Sequence, residues 1–195
     1  AEVSSPIVMQ MSDTLFLMAE EKGDQRMQAV ALCNKLDYFY YKNDQPDSIS
    51  HYVEIVKDFA RKTNQPKYYY FVWSKRLIYY YIKQYQYNIA LYEANKMMKE
   101  AEQEKYMDGI ANAYNVLSSI YQLKRLFNLA INNKKKEIEI TLQYNLNKFN
   151  LSIYYSGLTN LYCELGEADN ALENLNKSAS CLYSSTQEYY YYVRA

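Results

Sequence analysis

Four tyrosines hold a fixed interval along this chain. Tyr41, Tyr81, Tyr121 and Tyr162 stand 40, 40 and 41 residues apart. Nine residues after each comes a small residue: Ser50, Ala90, Ala130 and Ala171. Two independent markers sharing one period restrict the chain to repeated units of that length. A unit this long holds two helices of ordinary length and two turns. The aromatic closing the first helix packs into the pair, and the small residue lets the second helix approach it. A helix pair cannot bury both of its faces alone, so successive pairs stack on one another.

The clearest unit is Ser152–Ser185. Leu158, Leu161, Tyr162 and Leu165 mark one face of its first helix. Gly166 ends that helix at a position where positive φ is favourable. Ala168, Ala171, Leu172, Leu175 and Ala179 mark one face of the second. Upstream, apolar residues recur at helical spacing between breakers. A first helix over about 6–21 carries Ile7, Met11, Leu15, Met18 and Ala19 and stops at Lys22-Gly23-Asp24. A second follows over about 25–41, with Val30, Leu32, Cys33, Leu36 and Phe39. Asn43-Asp44-Gln45-Pro46-Asp47 is a turn, and a third helix runs to about Thr63 before Asn64-Gln65-Pro66. Further helices are expected over about 67–83, 87–104, 108–123, 127–142, 146–165 and 168–183, with a break at Ser184-Ser185 and another helix starting near Thr186. The expected architecture is all-α, one domain over 1–195 with units at about 25–65, 66–105, 106–145 and 146–185. With 4 Gly and 3 Pro in 195 residues there are few breakers, and no period-2 alternation bounded by hairpin signals competes.

These residues resemble the tetratricopeptide (TPR) family. Its usual repeat of about 34 residues places a small residue and then an aromatic in the first helix, Gly just beyond, and Ala in the second. The last unit matches with Leu158, Thr159, Tyr162, Gly166, Ala171, Leu175 and Ser178. The unit around Tyr121 matches in part, through Leu117, Ser118, Tyr121, Phe127 and Ala130, while Lys134 and Glu137 depart from the pattern. Tyr38 and Ile78 stand where a small residue is usual, and Gln45, Tyr85 and Arg125 where Gly is usual. The longer period is similar to that of TPR-like segments of bacterial signalling regulators, which precede a kinase or DNA-binding output module. The resemblance implies a right-handed α-α superhelix of about nine to ten antiparallel helices, packed more on rings in its N-terminal half.

Chemistry is sparse. His51 is the only histidine, so no His-based metal cluster can be assembled and no Ser–His or Cys–His pair has a second candidate, and no phosphate-binding Gly motif is present. No enzyme, metal or cofactor is expected. Lys+Arg and Asp+Glu are 22 each, a balance unlike a nucleic-acid-binding surface. The basic run Lys134–Lys136 reads as a solvated helix face, and Glu20/Glu21 and Glu137/Glu139 as surface carboxylates. Cys33, Cys163 and Cys181 read as small buried apolar residues carrying free thiols, with a Cys163–Cys181 pair as the alternative. No apolar run reaches the roughly 20 residues of a membrane span.

The expected function is protein or peptide binding. The resemblance puts Lys35, Phe39, Lys42, Asn43, Lys75, Tyr79, Lys83, Asn112, Asn115, Ser119, Gln122, Ser156, Asn160 and Glu164 on the inward face of the first helices. That row passes from basic and aromatic to amide-rich, which suits an extended, acidic peptide. Two roles fit: a sensor segment of a longer bacterial regulator, or a free-standing scaffold. The Ala1-Glu2 start suits a processed, extracytoplasmic protein over a cytoplasmic one. Tyr189–Tyr192 cannot all face one core and read as a self-association surface.

Overall fold

A computed structural model describes residues 5–42, 46–146 and 150–194, without the side chains of 182–194. Among the described residues the chain is helical and no strand occurs. In order come α1 (Pro6–Glu21), α2 (Gln25–Lys42), α3 (Pro46–Lys62) and α4 (Pro66–Val72). A π-helical turn (Trp73–Ile78) joins α4 to α5 (Tyr79–Lys83). Then follow α6 (Tyr87–Gln103), α7 (Met107–Leu123), α8 (Phe127–Gln143), α9 (Leu151–Leu165) and α10 (Ala168–Arg194). Pro6, Pro46 and Pro66 each open a helix, where the missing N–H costs no hydrogen bond.

The turns explain why the period persists without glycine. Gly23, Asn64, Tyr85, Lys105, Arg125, Asn145 and Gly166 all have φ between +51° and +75°. At each, that residue's N–H reaches back three residues and the next N–H reaches back five. Arg125 N–H donates to the Gln122 carbonyl at 2.9 Å and Leu126 N–H to the Tyr121 carbonyl at 2.9 Å. This is the Schellman closure, which satisfies carbonyls left open at a helix end. Tyr85 and Arg125 therefore take the conformation of the glycine they replace, while Gln45 lies outside the described residues.

Between Tyr85 and Asn145 the left-handed residues recur every 20 residues, but from Asn64 to Tyr85 and from Asn145 to Gly166 the interval is 21. The π-helical turn lies in the first of these longer intervals. One surplus residue inside a helix is accommodated by widening a single turn, as a π-bulge does.

Two sequence expectations change. The eighth helix starts at Leu151, with 147–149 outside the described residues. No break occurs at Ser184-Ser185: α10 is one helix to Arg194. Ser and Thr are tolerated within a helix, so with no Gly or Pro there the backbone has no reason to stop.

The chain forms two compact units, Ala1–Glu93 and Ala94–Ala195, dividing within α6. In the first, α1 packs on α2, α2 on α3, and α3 on α4 and the π-helical turn. Its core is ring-rich: Tyr38, Tyr40, Tyr69, Tyr70, Trp73 and Tyr80 are buried with Leu36, Ile49, Val53 and Val56. Trp73 stacks on Tyr69 at 5.0 Å, and its indole N–H donates to Glu93 Oε2 at 2.9 Å. In the second unit α7 packs on α8, α8 on α9 and α9 on α10. Ala130, Ile131, Ile138, Leu151, Leu158, Leu161, Tyr162 and Ala171 form a core cluster there, and Tyr162 is its buried aromatic. Tyr41, by contrast, is exposed, and Ile7, Met11 and Met18 lie on an open face of α1.

Candidate functional site: a cation-aromatic face

The sequence-predicted residues of the first unit collect along α2 and the stretch from α4 to α5. Their common element is Arg76, inside the π-helical turn. Its guanidinium pairs with both carboxylate oxygens of Asp37 on α2, with Nη2 donating to Oδ2 at 3.1 Å. The same group lies 5.2 Å from the Tyr40 ring, 5.7 Å from Tyr41 and 5.5 Å from Phe71. Burial works against the Arg76 charge, but the hydrogen bonds and negative charge of Asp37 outweigh it, and the pKa is raised. A planar guanidinium can pair edge-on with a carboxylate while presenting its faces to rings, which a lysine cannot.

Around this anchor the lysines rest on tyrosines. Lys83 Nζ stands 4.2 Å from the Tyr40 ring centre and 5.9 Å from Tyr41. Lys42 lies 5.4 Å from the Tyr38 ring, with its ammonium 3.4 Å from the Tyr38 hydroxyl. Lys75 sits over Tyr79 at 5.3 Å. Each such contact is worth about 0.5–1 kcal/mol at an exposed site. Asp37 neutralises Arg76, so the charge presented outward is that of the lysines, and Lys42, Lys83 and Tyr41 are exposed. Lys35 is different: it pairs with Asp13 of α1 and bridges the first two helices. Phe39 stacks on Tyr52 of α3 at 5.1 Å and acts as packing. Asn43 lies outside the described residues. His51 is exposed and edge-on to Tyr52.

In the second unit the amide row divides. Gln122, Ser156, Asn160 and Glu164 are exposed, and Asn112 is half-buried. Ser119 donates its hydroxyl to the Asn115 carbonyl at 3.1 Å. Asn115 turns inward: its amide donates to Glu137 Oε1 at 2.6 Å. Lys134 Nζ donates to Glu137 Oε2 at 2.6 Å and lies 5.6 Å from the Tyr154 ring. Lys134 and Glu137 are buried, Glu137 to 1% exposure. This corrects the reading of Lys134–Lys136 and Glu137/Glu139 as solvated groups: Lys135, Lys136 and Glu139 face outward, but Lys134 and Glu137 join α7, α8 and α9 from inside. Gly157 of α9 lies against the Lys134 stem, where an added Cβ would stand 3.4 Å from Cε. The signal was present in the sequence, where these two residues break the repeat pattern. The partner could not be read there, because Asn115 lies 22 residues away on another helix.

Surface cavities in this unit include the following pair. One of about 410 Å³ lies among α8, α9 and α10 over Tyr155, Leu158 and Tyr162, rimmed by Lys135, Glu139, Glu173 and Lys177. The other, about 160 Å³, is lined by Asp108, Asn112, Thr141, Asn150 and Tyr154. Burial raises the Asp108 pKa, and pushes the Tyr154 phenol up to about 12 with help from the Glu137 charge. Among the described residues no group of three or more His, Cys, Asp or Glu is placed to hold a metal ion, and no helix is long and apolar enough to cross a membrane. The three cysteines are free thiols. Cys33 and Cys181 are half-buried, whereas Cys163 is exposed, contrary to the expectation that all three are core residues.

No family model matches the chain, and no curated protein matches it. Among solved structures, the chain is similar to BtubC (BKLC) from P. vanneervenii, with a TM-score of 0.60 and 12% sequence identity. The likeness covers 94% of this chain and 82% of that one, and at this identity it speaks to an all-helical fold alone.

Proposed function

We propose that this chain is a TPR-like α-solenoid module that binds a protein or an extended peptide, and that it serves as the sensor or interaction segment of a longer bacterial signalling or regulatory protein. The successive packing of α1 to α4 in the first unit and of α7 to α10 in the second, the period of 40–41 and the fold likeness over most of the chain support the solenoid. Binding is the reading because Lys42 and Lys83 present charge beside the exposed ring of Tyr41.

The observation that carries the proposal is the face of α2 and α5 where Lys42 and Lys83 lie on the tyrosine layer. Arg76 and Asp37 hold the rings in place, so the surface is organised before a ligand arrives, which lowers the entropy lost on binding. Lysine ammonium groups beside exposed aromatic surface suit an acidic segment that also carries apolar side chains. Binding of the purified chain to an immobilised array of acidic, neutral and basic peptides tests this. Acidic peptides should be retained, and a Lys42→Glu, Lys83→Glu double variant should lose them while its circular dichroism stays unchanged. Equal retention of all three peptide classes, or unchanged retention by the double variant, sinks the assignment.

A further inference from the structure

In α10 the side chains turned inward are small or polar. Ala171, Asn174 and Ser178 are buried against α9. The Ser178 hydroxyl donates to the Ser152 carbonyl at 2.7 Å and lies 3.1 Å from the Ser152 hydroxyl. Leu172 and Leu175 point the other way, at 59% and 50% exposure, and Ala179 is exposed with them. The expectation that Leu172, Leu175 and Ala179 share the inward face with Ala171 is therefore corrected: the helix turns its amide and hydroxyl inward and its leucines outward. α3 does the reverse, burying Ile49, Val53, Val56 and Ala60.

The exposed Leu172, Leu175 and Ala179 begin a strict register in the sequence. Leu172, Leu175, Ala179, Leu182, Thr186, Tyr189 and Val193 alternate in steps of three and four. That is the a/d pattern of a coiled-coil seam, with a mean spacing of 3.5 residues. The helix is also long enough to use it. α10 has 27 residues, while α6, α7 and α8 have 17 each. Ser178 already meets the second residue of α9, so the portion after it runs on for about 24 Å beyond the start of its partner.

The seam also indicates its occupant. Between 172 and 193 no charged residue stands at a, d, e or g; Glu173, Lys177 and Glu188 occupy b, f and c. Charges at e and g are what direct a coiled-coil helix toward a different partner and repel its own copy. Without them two identical seams meet with no like-charge opposition. We infer that α10 pairs with α10 of a second copy of this chain, with Leu172 and Leu175 at the described end of the seam. α9 occupies the flank of Asn174 and Ser178, so the second copy approaches from the side of Leu175 and Asn176. The inference does not depend on the peptide-binding face, which lies in the other unit.

Sedimentation equilibrium of the purified chain over a dilution series tests it. The wild type should fit a reversible monomer–dimer equilibrium. A Leu172→Glu, Leu175→Glu double variant should raise the dissociation constant by about a hundredfold or more. Both leucines are exposed in the single chain, so its helicity and melting should be retained. Ala179→Cys, oxidised at low concentration, should give a covalent dimer in a background where Cys33, Cys163 and Cys181 are serine. A wild type that stays monomeric at every concentration overturns the inference and leaves a helix of another protein as the occupant. A dimer indifferent to the two glutamates overturns it equally, because the contact then lies elsewhere.

Discussion

Replacing Lys105 by glycine should stabilise the protein, although glycine is usually a destabilising choice near a helix. Lys105 holds φ +53° between α6 and α7, and its side chain is exposed. For an L-residue with a Cβ this conformation costs about 1–2 kcal/mol, and glycine escapes that cost. Glycine gives back about 0.5–1 kcal/mol, because its unfolded chain is freer. The balance is a gain of about 0.5–1 kcal/mol. In a chain of this size that raises Tm by roughly 1–4 °C. Lys105→Ala separates backbone from side chain and should be neutral or slightly destabilising, while Lys105→Asn should fall between, since asparagine visits this region more readily. The reciprocal change is Gly166→Ala. A Cβ at Gly166 meets nothing within 4 Å, so its cost is conformational only and should match the gain at Lys105 in size with opposite sign. Differential scanning calorimetry of the four variants reads this out. A Lys105→Gly protein that melts at or below both the wild type and Lys105→Ala refutes the reasoning, and with it the explanation of how the turns recur without glycine.

Glu137→Gln should destabilise the second unit by about 3–5 kcal/mol in urea titration, because it leaves Lys134 charged and buried; the Lys134→Met, Glu137→Leu pair should cost far less, and a double variant as unstable as the single one would contradict this. Burial, aided by the Asp37 charge, pushes the Cys33 thiol from 9.0 up to about 12. The folded state thus favours the protonated thiol, and the associated stability is complete below pH 9 and lost as pH rises from 9 to about 12. Cys33→Ser should flatten the fall of urea midpoint over that window, and a thiol reagent followed by mass spectrometry at pH 8 should label Cys163 well before Cys33.

Local chemistry encodes most of the helix boundaries. Proline opens three helices, and Lys22-Gly23-Asp24 and Asn64-Gln65-Pro66 separate others, because φ preference and a missing N–H act within a few residues. The 40-residue interval was legible for the same reason: small and aromatic residues mark it wherever the chain is read. The basic and aromatic character of Lys42, Lys75, Tyr79 and Lys83 was legible too, but not the Arg76–Asp37 pair that organises them, since those residues lie 39 apart.

What only the tertiary structure decided is which way each side chain turns and which backbone must bend. Lys134 and Glu137 look like surface residues by charge, yet Asn115 and Tyr154 make the interior habitable for them. Tyr85, Lys105 and Arg125 have no intrinsic preference for the left-handed region; the paired hydrogen bonds that close each helix end require it and offset the local cost. Leu172 and Leu175 look like core by composition, yet Ser178 takes the α9 contact, because Ser152 offers hydrogen bonds that a leucine cannot use. Periodicity is a property of one helix, whereas burial belongs to two, and only the fold says which neighbour each face receives.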